Sequence, residues 1–192
     1  MEDKYRKILA EVVFFGITPA LAATINSAAS LSMAVGIIFI MVLSTIVMRL
    51  MRKLVTEENK VFVTLVVTAL FASIFQMVTE AYAMEAYKEI GIYIALCSIN
   101  MMVFGAAYGG AGYEEKNIVG RVVLFSIVFG IVVFAVGSLR EILGAGTWGR
   151  LVLFSSKAQI FQKAPGAYMT GAVATAVVAF IVKKSTKKKE AK

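Results

Sequence analysis

The sequence contains no histidine and one cysteine, Cys97. Without histidine, haem ligation by imidazole and most zinc chemistry are excluded. With one thiol, neither an internal disulfide nor a four-thiolate metal site can come from a single chain. The glycine-rich run Gly109-Gly110-Ala111-Gly112 lacks the Lys-Ser/Thr that follows a phosphate loop and the strand that precedes one, so it reads as a turn. No nucleophile is paired with a base anywhere in the chain, and no catalytic residue is assigned. Nor is there a hydrophilic stretch long enough for a separate soluble domain.

What is present is apolar. Hydrophobic residues make up 59% of the 192 and the mean hydropathy is +0.81, whereas a soluble domain is about 45–50% apolar. The excess falls in runs of about 18–22 residues, the length that crosses a ~30 Å hydrocarbon core. Six spans are expected, near 8–24, 31–51, 60–79, 91–109, 118–138 and 165–183. The first is too long, and too poor in cleavage signals, for a secretion signal. The expected fold class is all-α integral membrane, a single membrane domain over residues 1–192.

The net charge of +8 is unevenly placed. Fifteen Lys and Arg fall on one side of a six-span topology: Lys4, Arg6, Lys7, Arg49, Arg52, Lys53, Lys60, Lys116, Arg121, Lys183, Lys184, Lys187, Lys188, Lys189 and Lys192. Five fall on the other: Lys88, Arg140, Arg150, Lys157 and Lys163. The positive-inside rule then places both termini in the cytoplasm. The basic tail reads as an anchor against anionic lipid, not as a nucleic-acid contact.

Two stretches interrupt the apolar pattern. Phe15–Thr24, with Gly16, Thr18 and Pro19, lies in the first span, and Ile94–Gly105, with Cys97, Ser98, Asn100 and Met101, in the fourth. Polar backbone at membrane depth must find partners inside the protein, so both are read as midplane breaks. The connector Thr24-Ile25-Asn26-Ser27-Ala28-Ala29-Ser30 carries no charge and reads as a re-entrant turn or a break within the bundle. Thr56 is expected to cap the third span, segment five to face lipid, and 149–164 to form a mixed loop with a short interfacial helix. Tyr82, Tyr87 and Tyr93 sit where an aromatic belt belongs. Residues 1–84 and 85–192 each hold three spans, the polar stretch being in the first of each. An odd number of spans per half inverts the second half, the pattern of two inverted three-helix repeats with a site between them.

Leu139-Arg140-Glu141-Ile142-Leu143-Gly144-Ala145-Gly146-Thr147, with Gln76–Tyr82, Tyr87–Ile94 and Pro165-Gly166-Ala167-Tyr168 in support, resembles the small six-span subunits shared by the Rnf complex and the sodium-pumping NADH:quinone oxidoreductase. The likeness is to the E subunit of the former and the D subunit of the latter, over about residues 14–175. It implies a prokaryotic inner (plasma) membrane, and a homologous partner subunit of opposite orientation among other Rnf-type subunits. In that family two paired subunits each give two cysteines to a shared 2Fe–2S cluster, consistent with four thiolates per cluster. Here Thr18 and Met101 stand where the resemblance places those cysteines. Neither a hydroxyl nor a thioether replaces a thiolate, so no cofactor is expected in this chain.

Each candidate residue has a structural and a functional reading. Thr18 and Pro19 form a packed kink or line a path. Cys97, Asn100 and Met101 make an inter-helix hydrogen bond with soft packing, or the wall of a former redox site; Cys97 is four residues before Met101, one turn away on the same helix face. Arg140 and Glu141 clamp a loop or gate a cation path. Glu80 is a solvated helix end, or an ion ligand if it faces the bundle interior. The sequence thus points to a non-catalytic subunit of an Rnf-type, ion-translocating electron-transport complex. The alternatives are a homodimeric transporter or channel that has left redox work, and an assembly scaffold.

Overall fold

The structure, a computed structural model, describes residues 20, 23–112, 118–148, 151–152, 163, 165–173 and 176. Most of the first predicted span and about half of the last lie outside these residues, as do both charged termini; residues 165–173 are helical. Three described helices are long and apolar enough to cross a membrane, and a bent pair of shorter ones can make a fourth crossing.

Helix α1 (Ser27–Leu50) sits at the centre. It starts because Asn26 is extended and its side-chain Oδ1 accepts the N–H of Ala29 at 2.7 Å, a standard cap for a helix N-terminus. Ser30 Oγ donates to the Asn26 carbonyl at 2.6 Å. Met33, Ile37, Ile40, Met41 and Met48 are buried along α1, which packs against every other long helix. A 3-10 turn, Met51–Lys53, ends it at a basic cluster.

Helix α2 (Lys60–Tyr82) follows. Its start differs from the expected cap at Thr56. Residues 57–59 form a turn in which the Asn59 N–H meets the Thr56 carbonyl at 3.1 Å, and the helix begins one turn later. Lys60 is buried there, its Nζ 3.3 Å from Glu57 and 4.3 Å from the centre of the Tyr108 ring. Higher up, Phe39 of α1 meets Phe71 and Phe75 at ring-centre distances of 6.4 and 5.6 Å.

The fourth predicted span is two helices, α3 (Met84–Leu96) and α4 (Met101–Gly112), joined by a 3-10 turn, Cys97–Ile99. The two parts are bent by 43°. Hydropathy alone starts this span at 91. The helix starts at Met84 because its first turns, Glu85, Lys88 and Glu89 among them, are polar and helical at once.

Helix α5 (Ile118–Ala145) runs past the predicted end at 138. One side packs along α1 through a buried seam that includes Gly130 and Gly137, while Leu124, Ile127, Val128 and Ile131 are exposed. A seven-residue spacing keeps such a seam on one side of two helices crossing at a small angle. In lipid, helices associate by close packing and not by excluding water, and small residues permit it. At Gly137 the approach is so tight that a Cβ would coincide with the Ser30 side chain. Beyond α5 lies a two-stranded antiparallel ladder, β1 (Thr147–Trp148) with β2 (Leu151–Val152); of the stretch 149–164, expected to be a mixed loop with a short interfacial helix, only 151–152 and 163 are described.

Candidate functional site

The uncharged connector is a partly buried break held by three side chains from two helices. Arg140, 1% exposed, donates from Nη1 to the Thr24 carbonyl at 2.7 Å and to Thr24 Oγ1 at 2.9 Å. Its neighbour Glu141 accepts the Ser27 N–H at 2.7 Å on Oε2. From α3, Glu89 accepts Asn26 Nδ2 at 2.8 Å. A carboxylate at the first N–H of α1 lies where the helix dipole favours negative charge, and a guanidinium on a carbonyl makes a charge-assisted bond. Adjacent residues on α5 thus secure the chain on both sides of the break. Alongside, Asn26, Ala29, Tyr82, Met84, Glu85 and Glu89 line a cleft of about 470 Å³.

The second break is in the bent helix pair. Asn100 is extended (φ −64°, ψ 126°) and 1% exposed. Its Oδ1 accepts the N–H of Met102 at 2.9 Å, capping α4, while its own carbonyl receives the N–H of Phe104 at 2.8 Å. The break releases the Ser98 carbonyl, which Thr68 Oγ1 of α2 reaches at 3.0 Å. Irregular backbone is tolerated at membrane depth when protein groups satisfy it in this way.

Of the residues singled out in the sequence, Thr18 and Pro19 lie outside the described residues. Cys97 and Asn100 share the second break. Met101 is the first residue of α4, and the extended Asn100 separates it from the turn holding Cys97. The one-turn, same-face relation expected of those two positions therefore does not apply. Cys97 is 1% exposed and packed in the apolar core with Ile90 and Ile94. Arg140 and Glu141 come together on the first break. Glu80 is exposed near the end of α2, so it does not meet the condition set for an ion ligand, that of facing the bundle interior. Sequence reasoning does not find Asn26, Glu89 and Thr24 as partners; the available signal is a run of uncharged polar residues, which needs hydrogen bonds from elsewhere in the fold.

Residues 4–182 match the family model described as Rnf-Nqr subunit, membrane protein. The chain belongs to the Rnf-Nqr family. Among curated relatives, this Rnf-Nqr chain is similar to the E subunit of the ion-translocating oxidoreductase complex of Methanosarcina acetivorans, 30% identical over 85% of this chain and 80% of that protein. It is also similar to the proteins of that name from Pseudoalteromonas atlantica and Yersinia pestis, at 28% and 31% identity over 71% of this chain and 59% of each relative. The match thus covers less than two thirds of those two bacterial proteins. As an Rnf-Nqr protein with several apolar helices of spanning length, the chain is a multi-pass membrane protein.

The resemblance implies a 2Fe–2S cluster, and a cluster shared between two chains needs thiolates that reach the other subunit. This chain's one thiol is enclosed by its own apolar core, and the resemblance puts Thr18 and Met101, neither of them a thiol, at the cysteine positions. The residues do not fit the group.

Proposed function

We propose that the chain is a membrane subunit of an Rnf-type ion-translocating oxidoreductase complex, in which it forms part of the membrane frame and supplies no thiolate ligands. Its similarity to subunits named for such a complex, over most of its own length, carries this reading. The enclosed Cys97 and the replacements at 18 and 101 support the second half of it. In this reading the six spans form two inverted three-helix repeats in the prokaryotic inner membrane, with both termini cytoplasmic. The main partner is a homologous subunit of opposite orientation. Electrons pass through other subunits, and the two breaks hold the geometry against which the partner packs.

Purification of the tagged chain from membranes of its own source under mild detergent tests the assignment. Stoichiometric recovery of flavin- and cluster-carrying subunits is the expected result. A colourless, self-associated chain recovered alone would overturn it in favour of a homodimeric transporter or channel.

A further inference from the structure

Gly146 ends α5. Its φ of 70° lies in the left-handed region where glycine is unstrained, and its N–H closes on the Ile142 carbonyl at 3.1 Å, a common helix stop. The chain then turns back as the β1–β2 ribbon. Thr147 opposes Val152, and Trp148 opposes Leu151. Thr147 Oγ1 donates to Glu141 Oε1 at 3.4 Å, tying the ribbon to the helix end.

Directly opposed residues share a ribbon face, and successive residues alternate faces. With Thr147 bonded to α5, Trp148 and Leu151 form the opposite face; they are 46% and 62% exposed, and Val152 beside Thr147 is exposed as well, so it is the indole that distinguishes the Trp148 face. α5 has 28 residues, about 42 Å at 1.5 Å per residue, against a hydrocarbon core of ~30 Å. The helix thus exceeds the core, and the polar Ser138, Arg140 and Glu141 near its end favour an exit into the headgroup zone at that end. Leu139 and Leu143, one turn apart and both exposed, carry the lipid-facing band of α5 up to the ribbon. Indole, apolar in body with one N–H to satisfy, favours that depth.

We propose that the Trp148–Leu151 face is a docking surface for the lipid interface, an anchor that sets the depth of α5 in the bilayer. Because Glu141 holds both Thr147 and the N–H of Ser27, the anchor also fixes the height of the first break. The proposal needs only the membrane setting and is independent of the subunit reading.

Trp148 is the only tryptophan in the chain, so intrinsic fluorescence of the full chain reports this face alone. The chain is placed in phosphatidylcholine nanodiscs with bromine near the carbonyl end of the acyl chains, or near the methyl end; iodide in the water is a third quencher. Emission should be blue-shifted from that of the denatured chain, and the shallow bromines should remove more intensity than the deep ones. Leu151→Glu should weaken that shallow quenching while the helical circular dichroism is retained. Quenching by iodide as strong as for free indole, with no effect of brominated lipid, would place the face in water. Insensitivity to all three quenchers would mean a protein cover such as a second copy. Stronger quenching by the deep bromines would put the face in hydrocarbon. Each of these three results overturns the proposal.

Discussion

Arg140 is a cation enclosed among apolar helices, and it is tolerated because a carbonyl and a hydroxyl of Thr24 receive its guanidinium. Removing it leaves a buried acceptor without that donor. Arg140→Ala should lower stability by about 2–3 kcal/mol, the range for a lost hydrogen bond to a charged group, read as a fall in thermal midpoint in detergent. Arg140→Lys should lie between, since an ammonium keeps the charge and loses the fork. Gly137 is the other residue on which the bundle closes. Gly137→Ala drives a methyl into Ser30 and should cost about 1–3 kcal/mol. The pair Gly137→Ala with Ser30→Gly should regain part of that loss. A double variant no more stable than the single one would contradict the close approach of α1 and α5.

At the scale of elements, two side chains meet the bend of the α3–α4 pair: Asn100 caps α4, and the Thr68 hydroxyl, whose one proton is shared among the carbonyls of Thr64, Leu65 and Ser98, lies within reach of the last. Thr68→Val should loosen the break by about 0.6–2 kcal/mol, the range for hydrogen bonds between membrane helices. Amide exchange should rise at residues 97–102 and stay unchanged in α5. Much of this level is legible in the sequence. Apolar runs locate α1, α2 and α5, and the uncharged stretch 24–30 announces a break inside the bundle. Hydropathy misplaces the ends where polar residues are helical, at Met84–Ile90, and where charges are satisfied inside, at Arg140 and Glu141. Apolar content also does not say which face of α5 packs; Gly130 and Gly137, seven residues apart, mark it. The β1–β2 ribbon cannot be read, since two-residue strands are too short to carry an alternating pattern.

For the whole molecule, the proposed function keeps the family's membrane frame and leaves the cluster to other subunits. The Rnf-Nqr chain has a helix break capped by Asn100, and its single thiol lies buried in its own apolar core. Its membership rests on similarity over most of its length, whereas the missing thiols rest on two positions. The second inference is therefore the one that needs direct measurement. That measurement is the iron content and visible spectrum of the chain purified together with its homologous partner subunit. The account predicts no stoichiometric iron held between the two and no iron–sulfur absorption. A 2Fe–2S spectrum from that pair, lost on Cys97→Ser, would contradict it.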